Sequence, residues 1–189
     1  MSRDLRRFSR LKNEIKQLIG KNLLDIVIFG SYSRGKIWPN DIDICIILKE
    51  VSKNVINNIN KGLNGVADEK THISYLSAEN FFTDFHSLSK TVLFEGISLI
   101  SGEAISKRYG LSSYCLYTYK LPKDDNVKRV RFVYLLKGRV KEKGMVEQLG
   151  GRFVSNGTFL VPVSKDAEMM AIFDQWKIRF TRRKVLLMD

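Results

Sequence analysis

Apolar residues in the first part of the chain recur with the periods of helices and strands in turn. Leu11, Ile15 and Leu18, like the apolar residues before them, lie three or four positions apart, which predicts an amphipathic helix over residues 3–20. Short apolar runs rich in β-branched residues predict buried strands. The further predicted elements are strands at 23–29, 42–48 and 71–76, helices at 51–63 and 90–95, a helix after an N-cap at Ser77, and a small strand within 96–100.

The second part of the chain has a different order of elements. Asn156 and Gly157 separate two β-rich runs within residues 150–163, which is the strongest short-range signal of a β-hairpin. The other predicted elements are strands at 114–120 and 176–187 and helices at 124–137 and 165–175. The resulting order, βαββαβ, is that of a ferredoxin-like unit. We therefore expect an α/β (α+β) protein with two domains, at residues 1–108 and 109–189.

Composition and charge narrow the class of protein. The 189 residues are 44% hydrophobic and 28% charged, which is typical of a globular chain rather than a disordered one. No apolar stretch approaches the roughly 18 residues needed to cross a bilayer, and the N-terminus lacks the apolar centre of a signal peptide, so we expect a cytoplasmic protein without a membrane partner. The net charge of +12 favours polyanionic partners.

Two aspartates open the second predicted strand, which is otherwise apolar. Strand alternation points Asp41 and Asp43 to the same side. Two carboxylates about 4 Å apart repel by roughly 4 kcal/mol at an effective dielectric of about 20, and a shared proton or a cation would offset this. Oxygen ligands of this kind suit Mg²⁺, with Mn²⁺ as the alternative. The competing interpretation is a solvated strand start in which Asn40 and Asp41 belong to a turn.

A glycine and a serine end the preceding strand. If a short helix over residues 31–36 follows, its first backbone N–H groups form an anion site. Gly30 allows a phosphate to approach the backbone, and the Ser31 hydroxyl can add a hydrogen bond. Arg34 could bind phosphate bidentately. A plain helix N-cap at Ser31 and a merely exposed Arg34 are the alternatives.

Gly30-Ser31-x-x-Arg34-Gly35 followed by Asp41-Ile42-Asp43 resembles the nucleotidyltransferase signature of the DNA polymerase β superfamily, most of all its minimal nucleotidyltransferases. The resemblance covers roughly residues 20–105 and implies a polymerase β-like mixed sheet with helices. It implies that Asp41 and Asp43 are catalytic and hold the metal, and that Gly30 and Ser31, with Arg34, bind a nucleoside triphosphate. The implied activity is Mg²⁺-dependent transfer of a nucleoside monophosphate to a hydroxyl of RNA or protein.

One feature of that family is missing from the expected position. Active members usually carry a third carboxylate on the strand beside the two aspartates, and the matching strand here offers His72 and Ser74. Asp68, Glu69 and Glu79 lie nearby in the sequence, but strand alternation aims none of them at the pair. His72 is either a base for the hydroxyl proton or a half-buried histidine satisfied by a neighbour.

Residues 111–189 carry 16 basic and 8 acidic residues, with aromatic residues between the basic ones. Exposed aromatics with basic rims would suit single-stranded RNA, whereas the alternative places most aromatics in the core. The aromatic residues concerned are Tyr114, Tyr117, Tyr119, Phe132, Tyr134, Phe153 and Phe159. The two cysteines, Cys45 and Cys115, lie inside apolar runs and are interpreted as buried free thiols.

The sequence therefore leaves two classes of function open. The first is a nucleotidyltransferase acting on RNA or on a protein side chain. The second is a catalytically defective module of the same fold that binds RNA or a protein partner, for which the missing third acid is the best argument. An antibiotic-modifying transferase is disfavoured, because such substrates are cationic and the chain carries a net charge of +12.

Overall fold

The computed structural model describes residues 3–65, 70–83, 87–122, 124–139 and 142–188, with side chains from residue 8 onward. The chain divides into two compact units. The first contains the residues up to 33 together with 37–109, and the second contains 34–36 and the residues from 110 on. Within the described residues, no helix has both the length and the apolar character needed to span a bilayer.

The first unit combines a four-stranded sheet with helices. Its elements are α1 (Arg3–Ile19), β1 (Leu23–Phe29), β2 (Ile42–Leu48), α2 (Lys53–Leu63), β3 (Thr71–Ser77), α3 (Ala78–Thr83), α4 (Ser87–Glu95) and β4 (Ile97–Ser98). The Ser52 hydroxyl accepts a hydrogen bond from the backbone N–H of Val55 and caps α2. The Ser77 hydroxyl likewise accepts from the N–H of Asn80, so the predicted N-cap of α3 is confirmed.

The sheet of the first unit is mixed, with the order β3-β2-β1-β4. Strands β1 and β2 are antiparallel, and Phe29 pairs with Asp43. Strands β2 and β3 are parallel, and Asp43 pairs with His72. The end of β1 and the starts of β2 and β3 therefore meet at one edge of the sheet.

Both faces of this sheet are covered, which explains why its central strands β1 and β2 are almost continuously apolar. On one face Ile26 and Ile44 pack with Ile15 of α1 and Ile59 of α2. The other face forms a second cluster that includes Val27, Cys45, Ile47, Val92 of α4 and Ile105. The burial of both faces holds the two strands rigidly in register beneath the edge that carries the aspartates.

The predicted short helix over residues 31–36 is wrong, because this segment forms turns. Gly30 and Gly35 both have positive φ, +76° and +88°, which confines the intervening chain to too few residues for a helical ladder. The buried Ser33 hydroxyl donates to the carbonyl of Gly30 over 3.0 Å and closes the turn.

The second unit is built around a four-stranded antiparallel sheet. Its elements are β5 (Leu111–Lys120), α5 (Asn126–Lys137), β6 (Gly138–Arg139), β7 (Glu142–Lys143), α6 (Met145–Gln148), β8 (Arg152–Ser155), β9 (Thr158–Pro162), α7 (Asp166–Trp176) and β10 (Arg179–Met188). The sheet order β10-β5-β9-β8 places the first long strand between the third and the fourth, as in a split βαβ unit. The predicted hairpin at Asn156-Gly157 joins β8 to β9. The predicted fold class, a mixed-sheet domain followed by a second sheet domain, is confirmed.

Aromatic residues fill the core of the second unit. The ring of Tyr117 stacks on those of Phe159 and Phe173, at centroid distances of 5.3 and 5.5 Å. Tyr119 and Phe132 are buried in the same cluster. Four of the seven aromatics considered for RNA stacking are therefore core residues, which confirms the alternative interpretation for those four.

The two cysteines are buried free thiols, as predicted. Burial raises the pKa of the Cys45 thiol to about 12, and the nearby Asp25 carboxylate adds to the increase. Burial is also the main cause that raises the pKa of Cys115, followed by the charge of Asp166. Both thiols therefore stay protonated in the folded state at pH values where exposed thiols ionise.

We predict that the free energy of unfolding falls as the pH rises above about 8.5, the pKa of an exposed thiol. In that range the unfolded chain binds fewer protons than the folded one, so the slope is negative, at most about 1.4 kcal/mol per pH unit for each thiol. Urea denaturation at pH 7.5, 8.5 and 9.5 measures it. The Cys45→Ala/Cys115→Ala variant should show a shallower decrease, and an equal decrease in both proteins would contradict the prediction.

Candidate functional site

Three side chains that can bind a metal converge at the edge of the first sheet. One ligand atom from each of Asp41, Asp43 and His72 lies within 4.8 Å of the other two. The Nδ1 atom of His72 is 3.7 Å from Oδ1 of Asp43 and 3.9 Å from Oδ2 of Asp41. Asp41 lies in the bend just before β2, whereas Asp43 and His72 occupy paired positions on β2 and β3. The two predicted aspartates therefore lie together, with the histidine beside them.

The electrostatics of this cluster favour a bound cation. The side chains of Asp41, Asp43 and His72 are 47%, 27% and 63% exposed, so an ion can reach all three. In the part of the chain that the structure describes, no lysine or arginine lies within 4 Å of either carboxylate. A divalent cation would offset the repulsion between the two acids.

The Gly30–Ser31 turn lies directly against this cluster. A Cβ atom at residue 30 would collide with Oδ2 of Asp43, so only glycine leaves the carboxylate its place. The Ser31 hydroxyl oxygen is buried and has no hydrogen-bond partner among the described residues. A buried unpaired hydroxyl is costly, and a phosphate oxygen would satisfy it. The close approach of the Gly30 backbone to the Asp43 carboxylate and the unpaired Ser31 hydroxyl are therefore both compatible with a metal-bound phosphate at this position.

Arg34 has a different environment from the other predicted site residues. Residues 34–36 belong to the second compact unit. The Nε atom of Arg34 is 3.9 Å from Oδ2 of Asp166, and the Arg34 carbonyl accepts a hydrogen bond from the N–H of Ala167. The same Asp166 carboxylate, fully buried, accepts hydrogen bonds from Arg182 and from Tyr117. A contact of Arg34 with phosphate stays a prediction.

The candidates for a third acid are not part of the cluster among the residues described. Glu79 lies in the first turn of α3. Asp68 and Glu69 fall outside the described residues. His72 faces the aspartates instead and is mostly exposed, so its interpretation as a half-buried histidine is wrong. The sequence placed His72 on the right strand, but only the parallel register of β2 and β3 shows that it pairs with Asp43.

Two cavities lie along α5 of the second unit and share Arg131 and Trp176. The first, of about 480 Å³, is also lined by Lys128 and Lys177. The second, of about 380 Å³, is also lined by Tyr134, Arg139 and Lys143. We call these two cavities together the α5 groove. Its walls combine these cations with partly exposed aromatic rings and with the carboxyl groups of Asp125 and Glu142.

Comparison with known proteins gives one family match. Residues 8–99 match the model of the nucleotidyltransferase domain. No curated protein matches the chain.

Several solved structures overlap part of the chain, among them the following three. A mutant of the MntA–HpeT toxin–antitoxin complex is 20% identical with a TM-score of 0.38, covering 49% of this chain and 71% of that chain. The tri-AMPylated Shewanella oneidensis HEPN toxin in complex with MNT antitoxin is 19% identical with a TM-score of 0.38, covering 55% and 76%. A toxin–antitoxin structure with AMP-PNP is 25% identical with a TM-score of 0.34, covering 47% and 71%. At TM-scores below 0.5, these likenesses carry no argument about how this chain acts.

The family match and the site agree on the same part of the chain. Gly30, Ser31, Asp41 and Asp43 all fall inside the matched residues, and they occupy one edge of a mixed sheet. The resemblance expected from the sequence is therefore confirmed: residues 8–99 match the nucleotidyltransferase domain family.

Proposed function

We propose that this protein transfers a nucleoside monophosphate from a nucleoside triphosphate to a hydroxyl group. The observation that carries the proposal is the convergence of Asp41 and Asp43 beside the Gly30–Ser31 turn. Phosphoryl transfer needs positioning and charge neutralisation more than covalent chemistry. A pair of acids that can hold a cation, next to a turn with an unpaired hydroxyl, supports both requirements. Nucleoside triphosphates are abundant in the cytoplasm, where we place the reaction.

The proposed reaction is a single displacement at phosphorus. The acceptor oxygen forms a bond to the α-phosphorus of the nucleotide. The bond from that phosphorus to the oxygen that bridges to the β-phosphate breaks, and pyrophosphate leaves with the electron pair. The proton of the acceptor hydroxyl passes to water. A divalent cation, Mg²⁺ or Mn²⁺, supplies neutralisation of the phosphate charge when it is bound.

Each predicted site residue has a role in this proposal. Asp41 and Asp43 hold the cation and are the catalytic residues. Gly30 leaves room for the Asp43 carboxylate, and the buried Ser31 hydroxyl donates a hydrogen bond to a phosphate oxygen. Arg34 remains a proposed phosphate ligand, because a guanidinium with five N–H donors can contact an acid and a phosphate at once.

RNA is the acceptor that the charge of the second unit favours. The α5 groove contains Lys128, Arg131 and Lys177, and the Asp125 carboxylate in the same cavity accepts a hydrogen bond from the backbone N–H of Lys128 while, among the described residues, none of the three side chains forms an ion pair. By contrast, Lys143 pairs with Glu147 at 2.8 Å. Unpaired cations beside Trp176 suit the phosphates and bases of a single strand. A protein hydroxyl is the alternative acceptor.

The alternative to an enzyme is a module that binds a nucleotide, RNA or a protein partner without transferring anything. One observation favours it: among the described residues, the cluster at the sheet edge contains two carboxylates and not three. The transfer experiment below distinguishes the two functions.

We predict that the protein transfers label from α-³²P-labelled nucleoside triphosphates onto RNA in the presence of Mg²⁺ or Mn²⁺. Each of the four nucleotides should be offered with total RNA and, separately, with cell protein. The Asp41→Ala/Asp43→Ala variant should transfer nothing, because it holds no cation. Cation-dependent nucleotide binding without transfer under any condition would support the binding module. Absence of both would refute the nucleotide site.

We predict that Gly30→Ala abolishes transfer, because its methyl group displaces the Asp43 carboxylate. Gly20→Ala is the matched control, since Gly20 also has positive φ, +58°, but has open space where its Cβ would lie. Both variants should lose roughly 1–2 kcal/mol of folding free energy through backbone strain. Transfer rates and urea denaturation should be measured together. Equal transfer rates of the two variants would show that the site does not require a glycine at residue 30.

We predict that removing three cations of the α5 groove weakens binding of a 20-nucleotide single-stranded RNA. The variant is Lys128→Ala/Arg131→Ala/Lys177→Asn, with asparagine at residue 177 because that residue has a φ of +49°. The slope of log affinity against log salt should become shallower by about 2 units, for three lost phosphate contacts.

A control of equal charge change tests whether the groove itself matters. Lys16→Ala/Lys53→Ala/Lys61→Ala removes three exposed lysines of the first unit. Fluorescence anisotropy at several salt concentrations measures both variants. The control should retain most of the slope of the wild type. An equal decrease of the slope in both variants would show that net charge alone accounts for the effect.

A further inference from the structure

Resting on the proposed function, the geometry points to His72 as a third ligand of the cation. We propose that Asp41, Asp43 and His72 form a site of two carboxylates and one imidazole, and that this site prefers Mn²⁺ to Mg²⁺. The strand position where the family resemblance implies a third carboxylate holds this histidine instead.

The distances from His72 to the two carboxylates are compatible with one shared ion. Metal–nitrogen and metal–oxygen bonds of about 2.1 Å place two ligands of the same ion about 3.0 Å apart when adjacent and no more than about 4.2 Å apart when opposite. Nδ1 of His72 lies 3.7 and 3.9 Å from the two carboxylates, inside that limit. Both distances are too long for hydrogen bonds, so direct hydrogen bonding does not explain why the ring faces the pair.

The backbone pairing of β2 and β3 fixes the position of His72 beside the two aspartates. His72 is paired with Asp43 by the parallel register of β2 and β3, and the neighbouring Ile44 and Ile73 pack in the same core cluster. The imidazole itself is 63% exposed. It can therefore rotate onto an ion without disturbing the core.

The chemistry of the three donors decides which cation they prefer. Mg²⁺ is a hard ion that takes oxygen ligands almost exclusively. An imidazole suits first-row transition metals rather than Mg²⁺, and of these Mn²⁺ is the one that, like Mg²⁺, also suits carboxylate and water ligands and so retains open positions for phosphate oxygens. Replacing one oxygen by nitrogen therefore costs Mg²⁺ a favourable ligand and leaves Mn²⁺ a good one.

The test is metal binding by the full chain without nucleotide. Isothermal titration calorimetry with MnCl₂ and MgCl₂ should show at least tenfold tighter binding of Mn²⁺ by the wild type. His72→Ala should lose about tenfold in Mn²⁺ affinity, whereas Mg²⁺ affinity should change little. His72→Asp should narrow the preference by strengthening Mg²⁺ binding, since it restores a third oxygen ligand.

A spectroscopic measurement separates ligation from a merely structural role. Electron spin echo envelope modulation of bound Mn²⁺ should show coupling to a directly bound ¹⁴N nucleus. That coupling should disappear in His72→Ala and persist in His86→Ala, which removes the other histidine of the chain.

The outcomes distinguish this inference from the proposed function. Mn²⁺ bound without nitrogen coupling, or coupling that survives His72→Ala, overturns the role of His72 and leaves the two-aspartate transferase standing. Metal binding that also survives Asp41→Ala/Asp43→Ala places the ion elsewhere and overturns both proposals.

Discussion

The repulsion between two carboxylates at one sheet edge is the constraint on which the first unit depends. Asp41 and Asp43 lie where β2 begins, and among the described residues the ion-pair partner found for both is His72 rather than a lysine or arginine. The fold tolerates this arrangement because β2 is locked between β1 and β3 and is apolar on both faces. A largely buried strand thus holds Asp43, with Asp41 just before it, in place for a partner that arrives from solution.

The Gly30–Ser31 turn beside the two aspartates is also better explained by binding than by stability. Gly30 has a left-handed backbone conformation, and because it lacks a side chain it leaves room for the Asp43 carboxylate. Ser31 leaves a buried hydroxyl without a hydrogen bond among the described residues. The unpaired hydroxyl weakens the isolated fold and a phosphate oxygen would satisfy it, which is the pattern expected where binding rather than stability determines the sequence.

The second unit buries several of its aromatic residues in its core, whereas others lie beneath cations. Tyr117, Phe159 and Phe173 stack in the core, with the Tyr117 hydroxyl bound to the buried Asp166 carboxylate. The cations of the α5 groove lie outside that core and meet the aromatic Trp176 at its rim. A nucleic-acid surface on this unit would therefore follow a helix rather than the face of the sheet, which differs from what the interleaved sequence indicates.

The sequence by itself determined the features that depend on neighbouring residues. The periodicity of α1, the apolar runs of β1 and β2, the Ser77 cap and the Asn156-Gly157 hairpin are all local, because their hydrogen bonds close within a few positions. The six residues after Gly30 are compatible with both a helix and a turn when only neighbouring residues are considered. We predicted a helix from the sequence, whereas the segment forms turns. Tertiary structure alone decided the pairing of Asp43 with His72, the contact of Arg34 with Asp166, and which aromatic rings are buried. These contacts join residues about 30 to 130 positions apart, and their partners are selected by strand register and core packing, which no short stretch of sequence encodes.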